Sequence, residues 1–188
     1  MPLLRAFLRG LLVAAVVVSS GCQESRTIMA TNSAAKLYSQ HRYAEALAKY
    51  DEAVRLTPAY GWGHLGRGNC LVEMSRIPEA IEAYRQAAEL LPDEVEPALW
   101  LGIALGSAGR GTEAVKVLER AATLAEHDPR PHVQLGMALQ SQGESARALE
   151  VFEAARQRWP TCMDSSPAAL DAYDQAKRTV APIEKRKE

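Results

Sequence analysis

The sequence repeats itself with a fixed period of 34 residues. The stretch "YAEALAKYDEAVRLTP", which begins at Tyr43, returns three times, starting at Ile77, Gly111 and Ser145, as "IPEAIEAYRQAAELLP", "GTEAVKVLERAATLAE" and "SARALEVFEAARQRWP". No insertion or deletion separates the four copies. A constant period of this length is typical of architectures in which each unit packs on its neighbours. We therefore expect an array of similar units rather than a single enclosed core.

Each copy carries two small residues at fixed positions with one large residue between them. The small residues are Ala46, Ala80, Ala114 and Ala148 at the first position, and Ala53, Ala87, Ala121 and Ala155 at the second. The large residues are Tyr50, Tyr84, Leu118 and Phe152. Spacings of four and three residues place all three positions on one stripe of a helix. The pattern predicts a helix that packs closely against a neighbour.

The segment before each copy predicts another helix. Its small residues are Ala34, Gly68, Gly102 and Gly136, and each is followed three residues later by Leu37, Leu71, Leu105 or Leu139. The residues at the break between the two helices are His41, Ser75, Gly109 and Gly143. Prolines at positions 78, 97 and 131 fall in first turns, where a missing N–H costs no hydrogen bond. Each unit is therefore predicted to be a helix–turn–helix.

A 34-residue helix–turn–helix with these small and large positions resembles the tetratricopeptide repeat family. The resemblance implies an all-α, right-handed solenoid of four repeats plus a C-terminal capping helix. The predicted repeats span residues 27–60, 61–94, 95–128 and 129–162, followed by a capping helix at 163–180 and a charged tail at 181–188. Leu170 and Tyr173 are predicted to cover the fourth repeat, and Pro182 to end the array.

The N-terminal segment has a different composition. Arg5 and Arg9 precede an uncharged stretch from Gly10 to Gly21, which ends at Cys22. Twelve helical residues reach only about 18 Å, whereas a bilayer core is about 30 Å thick. The stretch is too short to span a membrane stably, and it predicts a secretory signal peptide.

Two forms of cleavage remain open for this signal. Ser19 and Gly21 have the spacing that an ordinary signal peptidase accepts. The sequence "SSGC" also resembles the lipobox of bacterial lipoproteins, although Ser19 stands where an aliphatic residue is usual. We favour the second form, with residues 1–21 as a lipoprotein signal peptide, Cys22 lipidated and residues 22–26 as a short tether. By the usual lipoprotein sorting pattern, Gln23 implies an outer-membrane anchor facing the periplasm.

The resemblance also implies a concave groove lined by the first helix of each repeat. The groove residues expected from the family's geometry are Tyr38, Trp62, Leu65, Asn69, Val72, Leu99, Trp100, Ile103, Val133, Gln134 and Met137. For Leu65, Leu99 and Val133, burial between helices is an equal alternative. This surface is largely apolar, with aromatic anchors and the amide of Asn69. It suits an amphipathic helix or an extended hydrophobic peptide, supplied by an envelope protein.

Relatives that clamp the C-terminal carboxylate of chaperones use lysine, asparagine and arginine in this groove. Asn69 alone matches that pattern, because Leu65 and Leu99 stand where basic residues are needed. Chaperone-tail binding is therefore disfavoured. By layout, the chain is similar to outer-membrane lipoproteins that assist pilus or secretin assembly. The alternatives are an adaptor for outer-membrane protein assembly and a self-associating homo-oligomeric array.

No pattern of catalytic residues is present in the sequence. The four histidines (His41, His64, His127 and His132) lack metal-ligand spacing, and neither a P-loop nor a nucleophile elbow occurs. Cys70 and Cys162 are expected to be separate thiols, because they fall in repeats that should not touch. A net charge of −1 gives no basic patch for nucleic acid. We expect neither an enzyme nor a bound metal or cofactor.

Overall fold

A computed structural model of the protein describes residues 23–184, and side chains up to residue 181. The described part of the chain divides into two compact units, with the boundary between Arg76 and Ile77, and each is described by itself below. Within the described residues all regular elements are helices. In the first unit they are α1 (residues 23–39), α2 (Tyr43–Leu56) and α3 (Gly61–Glu73). In the second unit they are α4 (Ile77–Leu90), α5 (Val95–Ser107), α6 (Gly111–Leu124), α7 (Arg130–Ser141), α8 (Ser145–Arg158) and α9 (Pro167–Glu184).

The first unit is held together by polar contacts as well as by small residues. The Thr27 and Thr57 hydroxyls lie 2.7 Å apart, and Gln23 Nε2 donates to the carbonyl of Leu56. These contacts fix α1 to the C-terminal end of α2. Residues 23–26, which the sequence pattern assigns to a tether, thus belong to helix α1. Gly66 lets α3 approach α2, because a Cβ there would lie 2.3 Å from the Tyr50 ring.

The second unit is a chain of packed helices, each in contact with the next from α4 to α9. The first helices of successive repeats also meet, since α5 contacts α7 and α7 contacts α9. Its core includes Leu105, Leu118, Leu139 and Phe152, all at most 2% exposed. These are the positions that the repeat pattern predicts to be buried. Helices α4, α6 and α8 begin at the residues where the repeated stretches begin.

The turns between paired helices adopt the left-handed conformation at the predicted break. His41 and Ser75 both have φ of 59°, and Gly109 and Gly143 have φ of 74° and 78°. The residue after each break bonds back to the helix, as Arg110 N does to the Leu105 carbonyl at 2.9 Å. Glycine adopts this conformation freely, whereas a side chain costs about 1 kcal/mol there. The two later turns are therefore less strained.

Helix α9 differs from the predicted capping helix in its bounds and its register. It begins at Pro167 rather than at residue 163, because residues 161–165 form turns in which Met163 is buried. The helix also continues to Glu184, beyond the predicted end at residue 180. Its buried stripe is Ala169, Tyr173 and Ala176. Leu170 is 39% exposed, so the prediction that it covers the fourth repeat was wrong.

No helix in residues 23–184 combines the length and the apolarity needed to cross a bilayer.

Candidate functional site

A cleft of about 400 Å³ lies between α5 and α7 in the second unit. Its walls and floor are Gly102, Ile103, Gly106, Ser107, Leu118, Gln134, Met137, Ala138 and Ser141. Leu118 comes from α6, and the other residues come from the facing sides of the two first helices. The contact between α5 and α7 brings these two sides together. The cleft is therefore formed by neighbouring repeats and not by a single one.

Two glycines of α5 give the cleft its depth, for different reasons. A Cβ on Gly102 would lie 2.5 Å from Leu118 Cγ, so this glycine is required by the packing of α5 on α6. A Cβ on Gly106 would meet nothing within 4 Å. The equivalent positions in the other repeats hold Tyr38, Val72 and Gln140. Gly106 thus leaves space open at a position where the other repeats carry a side chain.

Three of the predicted groove residues share this cleft. Ile103, Gln134 and Met137 are half-buried, and all three line it. Trp100 lies about one turn before Ile103 on α5 and is 36% exposed. The cleft thus offers aliphatic and thioether surface with one amide, next to an exposed indole. Such a lining favours an apolar ligand whose backbone can hydrogen-bond.

The other predicted groove residues lie in the first unit. Trp62 and Val72 on α3 are exposed, at 40% and 36%, while Tyr38 and Asn69 are half-buried. The Tyr38 hydroxyl donates to Glu73 Oε1 at 3.2 Å. Burial, together with the negative charge of Glu73, raises the pKa of Tyr38 to about 12. Tyr38 is therefore a neutral hydroxyl at all physiological pH values.

For three aliphatic residues the sequence left two placements open, in the groove or buried between helices, and the structure shows burial. Leu65, Leu99 and Val133 are 6%, 1% and 5% exposed. They pack into the core and do not line the groove. Because Leu65 and Leu99 are also the positions where a carboxylate clamp would need basic residues, that mode of binding has no structural basis here.

The sequence pattern did not indicate the small residues of the cleft: Gly106, Ser107, Ala138 and Ser141. Small residues carry no hydrophobic signal of their own. Gly106 and Ser107 lie three and four residues after Ile103, and Ala138 and Ser141 lie four residues after Gln134 and Met137, so this helical spacing could have indicated them. Ser107 Oγ donates to the carbonyl of Ile103 at 3.1 Å, and Ser141 Oγ to that of Ala138 at 2.7 Å. Both hydroxyls are thus occupied by the backbone, which makes the rim less polar.

The titratable groups predicted to be structural are packed against protein. His64 Nε2 lies 2.8 Å from the Pro58 carbonyl, and the His132 ring centroid lies 5.2 Å from that of Trp159. Burial holds the pKa of His132 below its usual range. Burial also raises the pKa of Cys70 to about 12, which keeps its thiol protonated. Among residues 23–184 no group of three or more His, Cys, Asp or Glu is placed to hold a metal ion.

A second cleft, of about 420 Å³, lies between α8 and α9 and is lined by Glu153, Arg156, Gln157, Pro160 and Tyr173. Arg156 donates to the Tyr173 hydroxyl at 2.9 Å, and its guanidinium lies 5.1 Å from the centre of that ring. These contacts attach α9 to the fourth repeat. We interpret this cleft as part of the joint that holds the capping helix.

Helix pairs that recur every 34 residues, with small residues at the crossings and a cleft between first helices, define an all-α helical-repeat fold. Tetratricopeptide repeat models match residues 34–95 and 65–129, and a further one matches residues 133–161. The chain belongs to the tetratricopeptide repeat family. No curated protein sequence matches it.

Solved structures of tetratricopeptide repeat proteins are similar to this chain. YrrB, described as having an unusual peptide-binding site, is 26% identical, with a TM-score of 0.67 over 85% of this chain and 91% of its own. MamA is 18% identical, with a TM-score of 0.70 over 86% and 96%. The first such domain of Spaghetti (RPAP3), bound to an HSP90 peptide, is 18% identical, with a TM-score of 0.61 over 63% and 94%. The last two likenesses show the fold alone.

Proposed function

We propose that this protein is a lipid-anchored scaffold that faces the periplasm and holds a segment of an envelope protein in its groove. The observation that carries the binding role is the apolar cleft between α5 and α7, where Ile103, Gln134 and Met137 meet above Leu118. YrrB has a peptide-binding site and is similar over most of both chains, which supports a protein segment as the ligand.

The chemistry of the cleft specifies the segment. Its floor and one wall are aliphatic, and the space above Gly106 accepts a bulky side chain. Gln134 supplies a donor and an acceptor for the backbone of an extended or helical segment. Trp100 adds exposed aromatic surface of the kind that dominates binding energy in interfaces. The ligand is an amphipathic or apolar segment with at least one large aliphatic or aromatic residue.

The anchor part of the proposal rests on sequence. Cys22 and the apolar stretch before it lie outside the described residues, so the lipobox-like "SSGC" and the short signal core carry this step. The described part of helix α1 includes residue 23, the residue after the cysteine. A ligand would therefore be held by a protein that is tethered to the membrane. Assistance in pilus or secretin assembly, or in outer-membrane protein assembly, would use such a position.

A site-specific photocrosslinker tests the binding role. We expect benzoylphenylalanine at Met137 in the cleft to capture an envelope protein in living cells, whereas the same probe at the exposed Glu150 of α8 should not. Gly106→Leu, which fills the cleft without touching the core, should abolish the Met137 adduct. Equal adducts at both positions would contradict the proposal. An adduct with a second copy alone would favour the self-associating array.

Metabolic labelling with a radioactive fatty acid tests the anchor separately. The wild type should incorporate label, and Cys22→Ser should not. An unlabelled wild type would reject lipidation and would leave the ordinary signal-peptidase alternative.

A further inference from the structure

The first helix exposes two adjacent large apolar residues. Ile28 is 50% exposed and Met29 is 67% exposed, and they are the two most exposed of the large hydrophobic side chains that the structure describes. We call them the apolar pair. They lie on α1 near its first described turns, whereas Thr27 and Ala30 on either side are buried against the first unit. The pair is a surface feature that the groove does not include.

The position of the pair in the repeat shows which surface it belongs to. Met29 takes the position that Pro97 and Pro131 take in the third and fourth repeats, where both are fully buried. Those prolines belong to α5 and α7, which pack on the preceding helices α4 and α6. Lys36 likewise takes the position of the buried Ala104. We call this side of α1, which carries Met29 and Lys36, its N-terminal face. On it, Lys36 places a cation where another repeat buries a small apolar residue.

The charged residues on this face have a small positive excess. Arg26, Lys49 and Glu52 line a depression of about 210 Å³ together with Met29. Lys49 Nζ lies 2.8 Å from Glu52 Oε2, so these two charges pair with each other. With Lys36 there are three cations, against Glu52 and the exposed Glu24. An apolar pair beside a net positive face is complementary to an anionic lipid surface.

We infer that the N-terminal face of α1 rests on an anionic bilayer surface, with the apolar pair inserted among the headgroups and Arg26, Lys36 and Lys49 at the phosphates. The inference rests on the proposed lipid anchor at Cys22. Residue 23, which follows the cysteine, already belongs to helix α1. At 1.5 Å per residue the apolar pair lies only about 8–9 Å further along the helix. A lipid at Cys22 would keep this short stretch of α1 close to the headgroups, where interfacial helices insert their apolar faces.

Tryptophan quenching by brominated lipids tests this contact. The full-length mature protein is reconstituted into phosphatidylcholine vesicles with or without phosphatidylglycerol, as wild type, Met29→Trp and the matched control Leu170→Trp. Leu170 is also exposed but lies on α9. We expect the tryptophan at position 29 to be blue-shifted and quenched, more strongly with phosphatidylglycerol. The wild type already emits from its own three tryptophans. The tryptophan at position 170 should add emission that the brominated lipids do not quench.

Charge reversal separates lipid contact from other causes. Lys36→Glu with Lys49→Glu should remove the dependence on phosphatidylglycerol, since each cation near such a surface contributes about fivefold to the binding constant. Quenching at position 29 no greater than at position 170 would overturn the inference. A blue shift that depends on protein concentration, without quenching, would instead indicate a second copy on this face.

If Cys22 is not lipidated, a different result is expected. The protein would then carry no fatty-acid label and would not be retained on vesicles. Quenching at position 29 with added vesicles would then still report whether the face binds lipid.

Discussion

Gly102 and Leu118 are in direct contact across the α5–α6 pair, so closely that a Cβ on the glycine would lie 2.5 Å from Leu118 Cγ. Four residues later on the same helix, a Cβ on Gly106 would have no neighbouring heavy atom within 4 Å. One glycine is required by packing, and the other borders open space in the cleft. Gly102 is therefore needed by the fold, whereas Gly106 borders space that a ligand could use.

Alanine at these two glycines should have opposite effects on stability. Gly102→Ala should lower the free energy of unfolding by about 1–3 kcal/mol, because the core must shift to admit the methyl group. Gly106→Ala should raise it by about 0.5–1 kcal/mol, because alanine loses less backbone entropy in a helix. Urea unfolding followed by circular dichroism measures both. A loss of stability in Gly106→Ala would show that the cleft is closed in solution.

Trp100→Ala should weaken ligand capture more than it weakens the fold. The indole is 36% exposed, so we expect a loss of stability well below the roughly 3–5 kcal/mol typical of a buried aromatic residue. Binding of a captured segment should fall by about 2 kcal/mol, roughly 30-fold. Trp62→Ala should act in the same direction. Phe152→Ala, at a fully buried position, is the control that should lose stability. Unfolding of Trp100→Ala would place this residue in the core.

The capping role of α9 should depend on Tyr173 and not on Leu170. Tyr173 is 6% exposed, its ring centroid lies 5.9 Å from that of Phe152, and its hydroxyl accepts from Arg156. Tyr173→Ala should cost about 3 kcal/mol, and Leu170→Ala less than about 1 kcal/mol. Thermal melts of the two variants make the comparison. Similar losses in both would show that Leu170 also contacts the fourth repeat. Deletion of residues 166–188 should cost at least as much as Tyr173→Ala.

The stability of the second unit should fall in mild acid because of His132. Burial holds its pKa below the usual range, the nearby charge of Arg158 acts in the same direction, and contacts with Asp128 oppose them. The unfolded chain therefore binds a proton more readily than the folded protein does. This contribution is complete above about pH 6.5, the ordinary pKa of histidine, and is lost as the pH falls through the folded pKa.

His132→Gln tests this sign. Melting temperatures measured from about pH 7 to about pH 5 should decline less steeply in the variant than in the wild type. Parallel declines would indicate that His132 titrates normally.

The period of 34 residues was sufficient to predict the helix pairs. Helices α2, α4, α6 and α8 begin at Tyr43, Ile77, Gly111 and Ser145, where the repeated stretches begin. The prediction succeeds because the residues that share one face of a helix are set by their spacing in the sequence. The alternation of small and large residues then fixes which face of each helix packs. The glycines at positions 102 and 136 were predicted as close approaches for the same reason, and the structure confirms them.

Exposure within the groove could be predicted only in part. Trp62, Val72 and Trp100 are exposed, whereas Leu65, Leu99 and Val133 are buried. Neighbouring residues on a first helix face either the groove or the adjacent helix. A single helical pattern does not distinguish these two directions, because both are apolar in this chain.

The sequence by itself determined the repeat, the helix pairing and the residues at the crossings, since these depend on contacts that recur every 34 residues. The tertiary structure decided the features that occur once. The turns at residues 161–165 bury Met163 and start α9 late, so Ala169 and Tyr173 are buried where Leu170 is exposed. The cleft above Leu118 likewise lies where α5 and α7 meet beside Gly106. Such features depend on how particular side chains fill space between helices, and no periodicity encodes that.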